Sequence, residues 1–188
     1  MELPFLSDED FFENCPPQTV CSVCGSNEIR PFMLVGDKYY WTCNVCKARI
    51  LSCKHWLSKE EEFKYYQTHQ NISSDPAYQK FAAQLGLPIL DKLVPNSSGL
   101  DFGCGPDSAL SAILRQHGHD MTLYDPFFFP AKKSLKKTYD FIVCSEAAEH
   151  FHQPAKEFKK FNSLLNENGW LGIMTNFQTE NARFKNWH

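Results

Sequence analysis

The sequence contains no long hydrophobic run and no positively charged leader. No stretch reaches the roughly 18 consecutive apolar residues that a membrane-spanning helix needs. The first fourteen residues carry five acids and no base, whereas a secretory signal begins with positive charge followed by an apolar stretch. We therefore expect a cytoplasmic protein that has no membrane partner.

An excess of positive charge is also missing. The chain has 19 lysines and arginines against 22 acids, a net charge of -3, so the basic surface typical of nucleic-acid-binding proteins is not expected. Its 188 residues, 43% hydrophobic and 14% aromatic, are enough for one medium core and a small appendage. These numbers favour a globular enzyme or binding protein and make a nucleic-acid partner the less favoured alternative.

The eight cysteines form two closely spaced pairs and four singletons. Cys21-x2-Cys24 and Cys43-x2-Cys46 are separated by 18 residues, a spacing typical of a four-thiolate zinc site. Without a secretion signal the thiols stay reduced, which favours metal binding over disulfides. Four cysteines leave no open coordination position, so the zinc would be structural.

Other residues nearby offer alternatives at this site. Gly25 directly follows the first pair and can take the positive φ that a tight turn often requires. Cys15, Cys53 and His55 could each replace a ligand, although packing or surface roles are the simpler interpretation.

The chain divides into three segments. Residues 1–57 hold six of the eight cysteines and predict short β-strands around the zinc. Residues 58–94 predict a helical linker or lid, in which Asp75 caps a helix that begins at Pro76 and buries Phe81 among its inward residues. Residues 95–188 alternate strands and helices, which predicts a parallel sheet. Its last predicted helix runs from Pro154 to Leu165, with Phe158 inward, and Asn168-Gly169 is the predicted stop signal after it.

A glycine turn lies between the first strand and the first helix of that last segment. In "LDFGCGPDSAL", residues 100–110, two glycines are one residue apart, and Ser108 stands where a dinucleotide-binding turn has a third glycine. A pyrophosphate beside Asp107 would meet like-charge repulsion, whereas S-adenosylmethionine carries positive centres and no phosphate. The charges therefore favour S-adenosylmethionine. Asp125 ends the next strand, where a carboxylate can accept the hydroxyls of a ribose.

Three stretches together, "LDFGCGPDSAL", "LYDPFF" and "YDFIVCSEAAEHFHQP", resemble the class I S-adenosylmethionine-dependent methyltransferases. The whole chain is similar to a bacterial-type subgroup that adds an N-terminal zinc ribbon. The resemblance implies an α/β fold: a Rossmann-like, doubly wound, mostly parallel sheet, here truncated after the fifth strand of the family. It also implies that Asp101, Gly103 and Gly105 contact the methionine part of the cofactor, that Asp125 contacts the ribose, and that residues 145–150, beginning at Ser145, border the sulfonium and the acceptor.

The stretch "SEAAEHFH" supplies the candidate catalytic residues. It follows a predicted strand and so places Glu146, Glu149, His150 and His152 at the carboxyl edge of the sheet, where open α/β sheets bind ligands. His150 is the preferred base, because the pKa of an imidazole lies close to neutral pH. A loop-ordering role for the cluster is the alternative interpretation.

Two further features qualify the site. Tyr65, Tyr66, His69 and Asn71 could form a lid over the acceptor, or could be ordinary exposed helix surface. Tyr139 follows Asp125 by only fourteen residues, too few for a further helix and strand, so the adenine contacts stay unassigned.

The sequence thus predicts a methyltransferase that uses S-adenosylmethionine and a structural zinc and acts on a small-molecule acceptor. Three alternatives stay open: a methyltransferase acting on RNA, a non-enzymatic zinc-ribbon binding module with a remnant methyltransferase domain, and a nicotinamide dehydrogenase. The sequence does not indicate an oligomeric state.

Overall fold

The computed structural model describes residues 15–68, 72–178 and 180–186, with the backbone alone at 182 and 186. These residues form two compact units. The first, the ribbon unit, contains residues 15–58, 152–155 and the described part of 177–186. The second, the sheet unit, contains the described part of 59–151 together with residues 156–176.

The ribbon unit is built on a three-stranded antiparallel sheet. Strands β1 (Ile29–Val35), β2 (Lys38–Cys43) and β3 (Arg49–Leu51) lie in that order. Gly36, at φ +60°, begins the two-residue turn between β1 and β2, where a tight hairpin requires a positive φ. Trp41 and Ile50 pair across β2 and β3 and are buried with Cys43. The predicted short strands around the cysteines are confirmed.

The last described segment of the chain belongs to the ribbon unit. The ring of Phe184 is buried between Phe32 and Tyr40, with ring centroids 5.2 and 4.8 Å away. The Arg49 guanidinium donates to Asn181 Oδ1 at 3.0 Å and lies over the ring of Phe32. Residues more than 130 positions apart in the sequence therefore complete one small core.

The sheet unit alternates helices and strands. Its first helices are α1 (Lys59–Gln67) and α2 (Pro76–Leu90). Strand β4 (Ser98–Phe102) leads to α3 (Ala109–Gln116), and β5 (Asp120–Tyr124) leads to β6 (Tyr139–Ser145). Helix α4 (Pro154–Leu164), whose first two residues are grouped with the ribbon unit, leads to β7 (Leu165–Met174). The four strands are parallel in the order β5-β4-β6-β7.

Helices cover both faces of this sheet. Alternate residues of β6 point to opposite faces, so Phe141 and Val143 pack in one core with α2 and α3, while Ile142 and Cys144 pack in another. Phe161 of α4 lies in the second core. The α/β fold with a doubly wound parallel sheet is confirmed.

Helix α2 begins as expected, but its buried face differs. The Asp75 carboxylate accepts a hydrogen bond from Ala77 N–H at 2.9 Å, and Pro76 is the first helical residue. Phe81 was expected in the core, yet 39% of it is exposed. The buried face is centred on the small or aliphatic residues Ala82, Leu85, Gly86 and Ile89, and Phe81 lies on its flank.

The end of α4 agrees with the prediction to within one residue, but the segment after it differs. The helix ends at Leu164, one residue before the predicted Leu165, because Leu165 already pairs with Tyr139 as part of β7. Asn168-Gly169, predicted as the stop signal of the helix, lies inside that strand. From Tyr139 to Phe141, β6 advances by two residues while its partner β7 advances by five, so β7 contains a bulge. Asn168, at φ +61°, lies in this bulge. Phe158, expected inward, is largely exposed. No helix among the described residues is long and apolar enough to cross a membrane.

Candidate functional site

The four paired cysteines converge in the ribbon unit. The Sγ atoms of Cys21, Cys24, Cys43 and Cys46 all lie within 4.8 Å of one another. Two Sγ–Sγ distances, Cys21 to Cys46 and Cys24 to Cys43, are 3.6 Å. Zinc–sulfur bonds of about 2.3 Å in a tetrahedron place sulfurs about 3.8 Å apart, so the cluster fits zinc. An ion held there would cross-link the segment before β1 to the connection between β2 and β3.

Two similar turns bring the thiols together. In each, the N–H of the residue after the second cysteine donates to the carbonyl of the first: Gly25 to Cys21 at 2.9 Å and Lys47 to Cys43 at 3.0 Å. Both residues have a positive φ, +76° at Gly25 and +63° at Lys47. The positive φ predicted at Gly25 is confirmed, whereas the same conformation at Lys47 was not predicted.

The three alternative ligands lie elsewhere. Cys15 is buried with its thiol 3.0 Å from Ser52 Oγ, and Cys53 is exposed. His55 Nε2 accepts a hydrogen bond from Tyr39 N–H at 3.1 Å, and its ring stacks on the ring of Tyr39. Of the residues that the structure describes, the four paired cysteines are the one group close enough to share a metal ion.

The glycine turn of the sheet unit is a backbone structure that needs glycine. Gly103 and Gly105 have φ values of +77° and +65°. A Cβ on Gly103 would lie 2.7 Å from the Cβ of Ala147, whereas a Cβ on Gly105 would meet nothing within 4 Å. Gly103 thus lets the loop after β6 approach the turn, and Gly105 leaves open space beside its backbone.

The buried Asp101 carboxylate is hydrogen-bonded to the start of the helix that follows this turn. It is 2% exposed, and its Oδ2 accepts hydrogen bonds from the hydroxyls of Ser108 at 2.6 Å and Ser111 at 2.7 Å. Burial raises the pKa of Asp101, and the two hydroxyl donors oppose that rise. Ser108 also caps α3 through Ser111 N–H at 3.0 Å. The serine in place of a third glycine therefore has a structural role.

Asp125 joins the end of β5 to the glycine turn. Its Oδ1 accepts the N–H groups of Phe127 at 2.8 Å and Phe128 at 3.1 Å, and its Oδ2 accepts Gly105 N–H at 3.2 Å. Since β4, β5 and β6 are parallel, their carboxyl ends meet at the same edge. The structure thus brings together three of the predicted cofactor residues, Gly103, Gly105 and Asp125.

The loop after β6 carries the acidic and imidazole side chains. Ser145 ends the strand opposite Met174, and Glu146, at φ +50°, donates its N–H to the carbonyl of Met174 at 2.8 Å. Glu149 and His150 lie exposed in a short 3₁₀ turn, Ala148–His150. Partial burial and the charge of Glu149 raise the pKa of Glu146. This loop adjoins the glycine turn through Ala147 and Gly103.

Helix α1 contributes aromatic rings to the same edge. The centroid of the Tyr66 ring lies 6.1 Å from that of His150 and 5.8 Å from that of Phe127, and Phe63 lies 5.8 Å from both Phe127 and Phe128. Burial raises the pKa of Tyr66 to about 12, and the carboxylates of Glu62, Asp125 and Glu149 contribute to that rise.

Tyr66 thus lies next to the predicted base His150 and to Phe127, whereas Tyr65 is exposed. His69 and Asn71 lie outside the described residues. Sequence reasoning missed Phe63, Phe127 and Phe128, although the helical spacing of Phe63 and Tyr66 was a usable signal.

Comparison with known proteins identifies the family. The family model described as a methyltransferase domain matches residues 75–188, more than half of the chain. The chain belongs to the methyltransferase-domain family. No curated protein matches the sequence.

Twenty-nine chains among the solved structures also match this chain. One is described as a SAM-dependent methyltransferase and possible histamine N-methyltransferase from Thermotoga maritima. It is 14% identical, with a TM-score of 0.30, over 61% of this chain and 56% of that one. The chain therefore spans little more than half the length of that structure.

Proposed function

We propose that this methyltransferase transfers a methyl group from S-adenosylmethionine to a small-molecule acceptor, with His150 accepting the proton that the acceptor releases. One observation carries the proposal. The Asp125 carboxylate is hydrogen-bonded to Gly105 N–H at 3.2 Å, and the backbone of Gly105 faces open space. A carboxylate and an unobstructed glycine backbone are thus held together at the carboxyl edge of a parallel sheet, where such sheets bind ligands.

The residues around this turn fit S-adenosylmethionine. The cofactor has cationic ammonium and sulfonium groups and no phosphate, and the nearby side chains of Asp125, Glu146 and Glu149 are acidic. A pyrophosphate would meet the repulsion of these carboxylates, which is why we favour this cofactor over a nicotinamide dinucleotide.

The hydrogen bonds of Asp125 limit how it would hold a ribose. A carboxylate offers about four acceptor positions, and backbone N–H groups occupy three of them. The position left on Oδ2 can accept one ribose hydroxyl without disturbing the turn. We therefore assign one ribose hydroxyl to Asp125 rather than the two that the sequence suggests.

When bound, S-adenosylmethionine supplies an electrophilic methyl group on sulfur. The chain has to align the acceptor with that methyl group and exclude water, and most of the rate acceleration of a methyl transfer can come from alignment. The rings of Tyr66 and Phe127 would form a wall of the acceptor site next to His150. His150 would take the proton of a hydroxyl or amine acceptor, and Glu149 would stabilise the imidazolium that results.

The charge of the site supports a small acceptor over RNA. Glu62 and Glu149 contribute to the negative potential around Tyr66, and the chain as a whole has a net charge of -3. A polyphosphate backbone would be repelled from such an edge. The reduced thiols required by the four-cysteine site support a cytoplasmic location.

Titration of S-adenosylmethionine into the zinc-loaded protein by calorimetry tests the cofactor assignment. We expect one-to-one binding, weakened on the order of tenfold to a hundredfold in Asp125→Asn, because a hydrogen bond to a charged group is worth about 1.5–3 kcal/mol. Asp120→Asn, at the exposed start of the same strand, is the matched control and should bind as the wild type does.

Failure of the folded protein to bind S-adenosylmethionine would contradict the proposal and favour a non-enzymatic binding module. Tighter binding of a nicotinamide dinucleotide in a parallel titration would favour the dehydrogenase alternative.

The role of His150 is tested by turnover. Acceptors are screened with methyl-labelled S-adenosylmethionine, using panels of small amines and alcohols beside RNA transcripts. With the acceptor found, His150→Gln should lower kcat roughly a hundredfold, the usual scale of general-base catalysis, and leave the affinity for S-adenosylmethionine unchanged. His117→Gln, an exposed histidine after α3, should behave as the wild type does. Label in RNA alone would contradict the small-molecule assignment.

A further inference from the structure

The loop that bears Glu149 and His150 continues directly into a segment of the ribbon unit. Phe151 belongs to the sheet unit, and the next four residues, His152–Ala155, belong to the ribbon unit. Two contacts within the ribbon unit hold this short segment, one through a side chain and one through the backbone.

The first contact is a stacked pair of rings. The indole of Trp56 and the imidazole of His152 are parallel within 2°, with centroids 4.3 Å apart. Trp56 follows a 3₁₀ turn, Cys53–His55, whose start is capped by Ser52 Oγ accepting Lys54 N–H at 3.3 Å. Ser52 is itself buried and in contact with the Cys15 thiol. The indole of Trp56, which stacks on His152, therefore directly follows a turn that is held by hydrogen bonds.

The second contact involves a cysteine pair directly. Ala155 N–H donates to the carbonyl of Ser22 at 3.2 Å, and Ser22 lies between Cys21 and Cys24. Ala155 is the second residue of α4, and the N–H groups of a first helical turn have no partner within the helix. The turn that carries two zinc ligands thus satisfies one of these donors.

We propose that the ribbon unit positions the loop of His150, through the stacking of Trp56 on His152 and the hydrogen bond from Ala155 to Ser22. The functional importance of this loop rests on the proposed function above. Trp56 and His152 are positioning residues in this scheme, because they act on Glu149 and His150 through the chain.

The short distance along the chain makes the positioning effective. One residue spans at most about 3.6 Å, so the Cα atoms of His150 and His152 lie within about 7 Å of each other. Phe151, the one residue between them, packs its ring edge-on against Phe102, with centroids 5.9 Å apart. A displacement of His152 is therefore expected to shift His150.

Histidine NMR on the zinc-loaded, cofactor-free protein tests this proposal. Nitrogen–proton correlation spectra report the imidazoles of the seven histidines, assigned through single histidine variants. The variants are Trp56→Ala, which removes the stack, and Trp56→Phe, which keeps a flat ring. Leu57→Ala alters the exposed neighbouring residue and is the matched control. His119, buried against Phe141 in the sheet unit, is the internal reference for an intact fold.

We expect Trp56→Ala to shift the signals of both His152 and His150, and Trp56→Phe and Leu57→Ala to leave them near their wild-type positions. Amide hydrogen exchange in residues 148–151 should be about tenfold faster in Trp56→Ala, because the 3₁₀ turn loses its fixed end. The signals of His119 should not move.

A His152 signal that shifts in Trp56→Ala while His150 and the amides of 148–151 stay unchanged would overturn the proposal. If Trp56→Ala also moves His119, His152→Asn repeats the test from the other side of the stack, and an unchanged His150 signal there overturns the proposal equally. Because these measurements contain no S-adenosylmethionine, their outcome is independent of the titration that tests the proposed function.

Discussion

Removal of the zinc that the four-cysteine cluster is proposed to bind is expected to unfold the ribbon unit. The zinc can be removed with a strong chelator or, separately, by the substitution Cys43→Ala, which deletes a buried candidate ligand. The expected loss is large, because structural zinc binding contributes about 10–16 kcal/mol of apparent free energy near neutral pH. The core of the unit, made of residues such as Trp41 and Ile50, is too small to offset that loss. Elemental analysis measures the zinc content before and after treatment, and near-ultraviolet circular dichroism measures the loss of folded structure.

Cys53→Ala is the matched control for this prediction. Cys53 is an exposed cysteine of the same unit outside the four-thiol cluster, so its variant should retain one zinc per chain and the wild-type spectrum. A Cys43→Ala protein that keeps both its metal and its spectrum would contradict the four-thiolate assignment. Loss of metal in Cys53→Ala would indicate a different ligand set.

Gly103→Ala is expected to destabilise the protein strongly. A non-glycine residue at φ +77° costs about 1–2 kcal/mol, and forcing a Cβ to within 2.7 Å of Ala147 adds an overpacking cost of about 1–3 kcal/mol. The free energy of unfolding, measured in urea, should fall by the combined amount, about 2–5 kcal/mol. Affinity for S-adenosylmethionine should fall with it, since the substitution pushes the turn and the loop after β6 apart.

Two further variants separate the backbone cost from the steric cost. Gly118 has φ +87° and open space where a Cβ would be, so Gly118→Ala measures the backbone cost alone, about 1–2 kcal/mol. Adding Ala147→Gly to Gly103→Ala removes the clash and should restore the steric share of the lost free energy of unfolding. Equal losses in Gly103→Ala and Gly118→Ala, with no recovery in the double variant, would show that the close approach of Ala147 contributes nothing.

Patterns within a few residues of sequence were sufficient for most of the fold. The two Cys-x2-Cys pairs predict a metal cluster, because a tight turn aims two thiols at one point wherever it occurs. Asp75 and Pro76 mark the start of α2 for a similarly local reason, the hydrogen bond to Ala77 N–H. The bulge in β7 was missed, because Asn168-Gly169 reads as a helix stop unless the pairing with Tyr139 and Phe141 is known.

The sequence predicts which residues form the candidate site, but it does not predict most of their hydrogen bonds. The order of strand, glycine turn and helix places Gly103 and Gly105 next to Asp125 by the topology of a parallel sheet alone. The three backbone donors on Asp125 and the burial of Asp101 under Ser108 and Ser111 depend on side-chain directions that no spacing specifies.

The sequence by itself determined the class of this protein. The cysteine spacing and the alternation of helices and strands act over short distances, where backbone geometry restricts the outcome to a few arrangements. Only the tertiary structure decided that Phe184 completes the ribbon core, that Ala147 approaches Gly103, and that His152 stacks on Trp56. These contacts join residues that are distant in the sequence. Local patterns do not distinguish between the possible partners of such a residue, and the close packing of the folded core decides which of them it contacts.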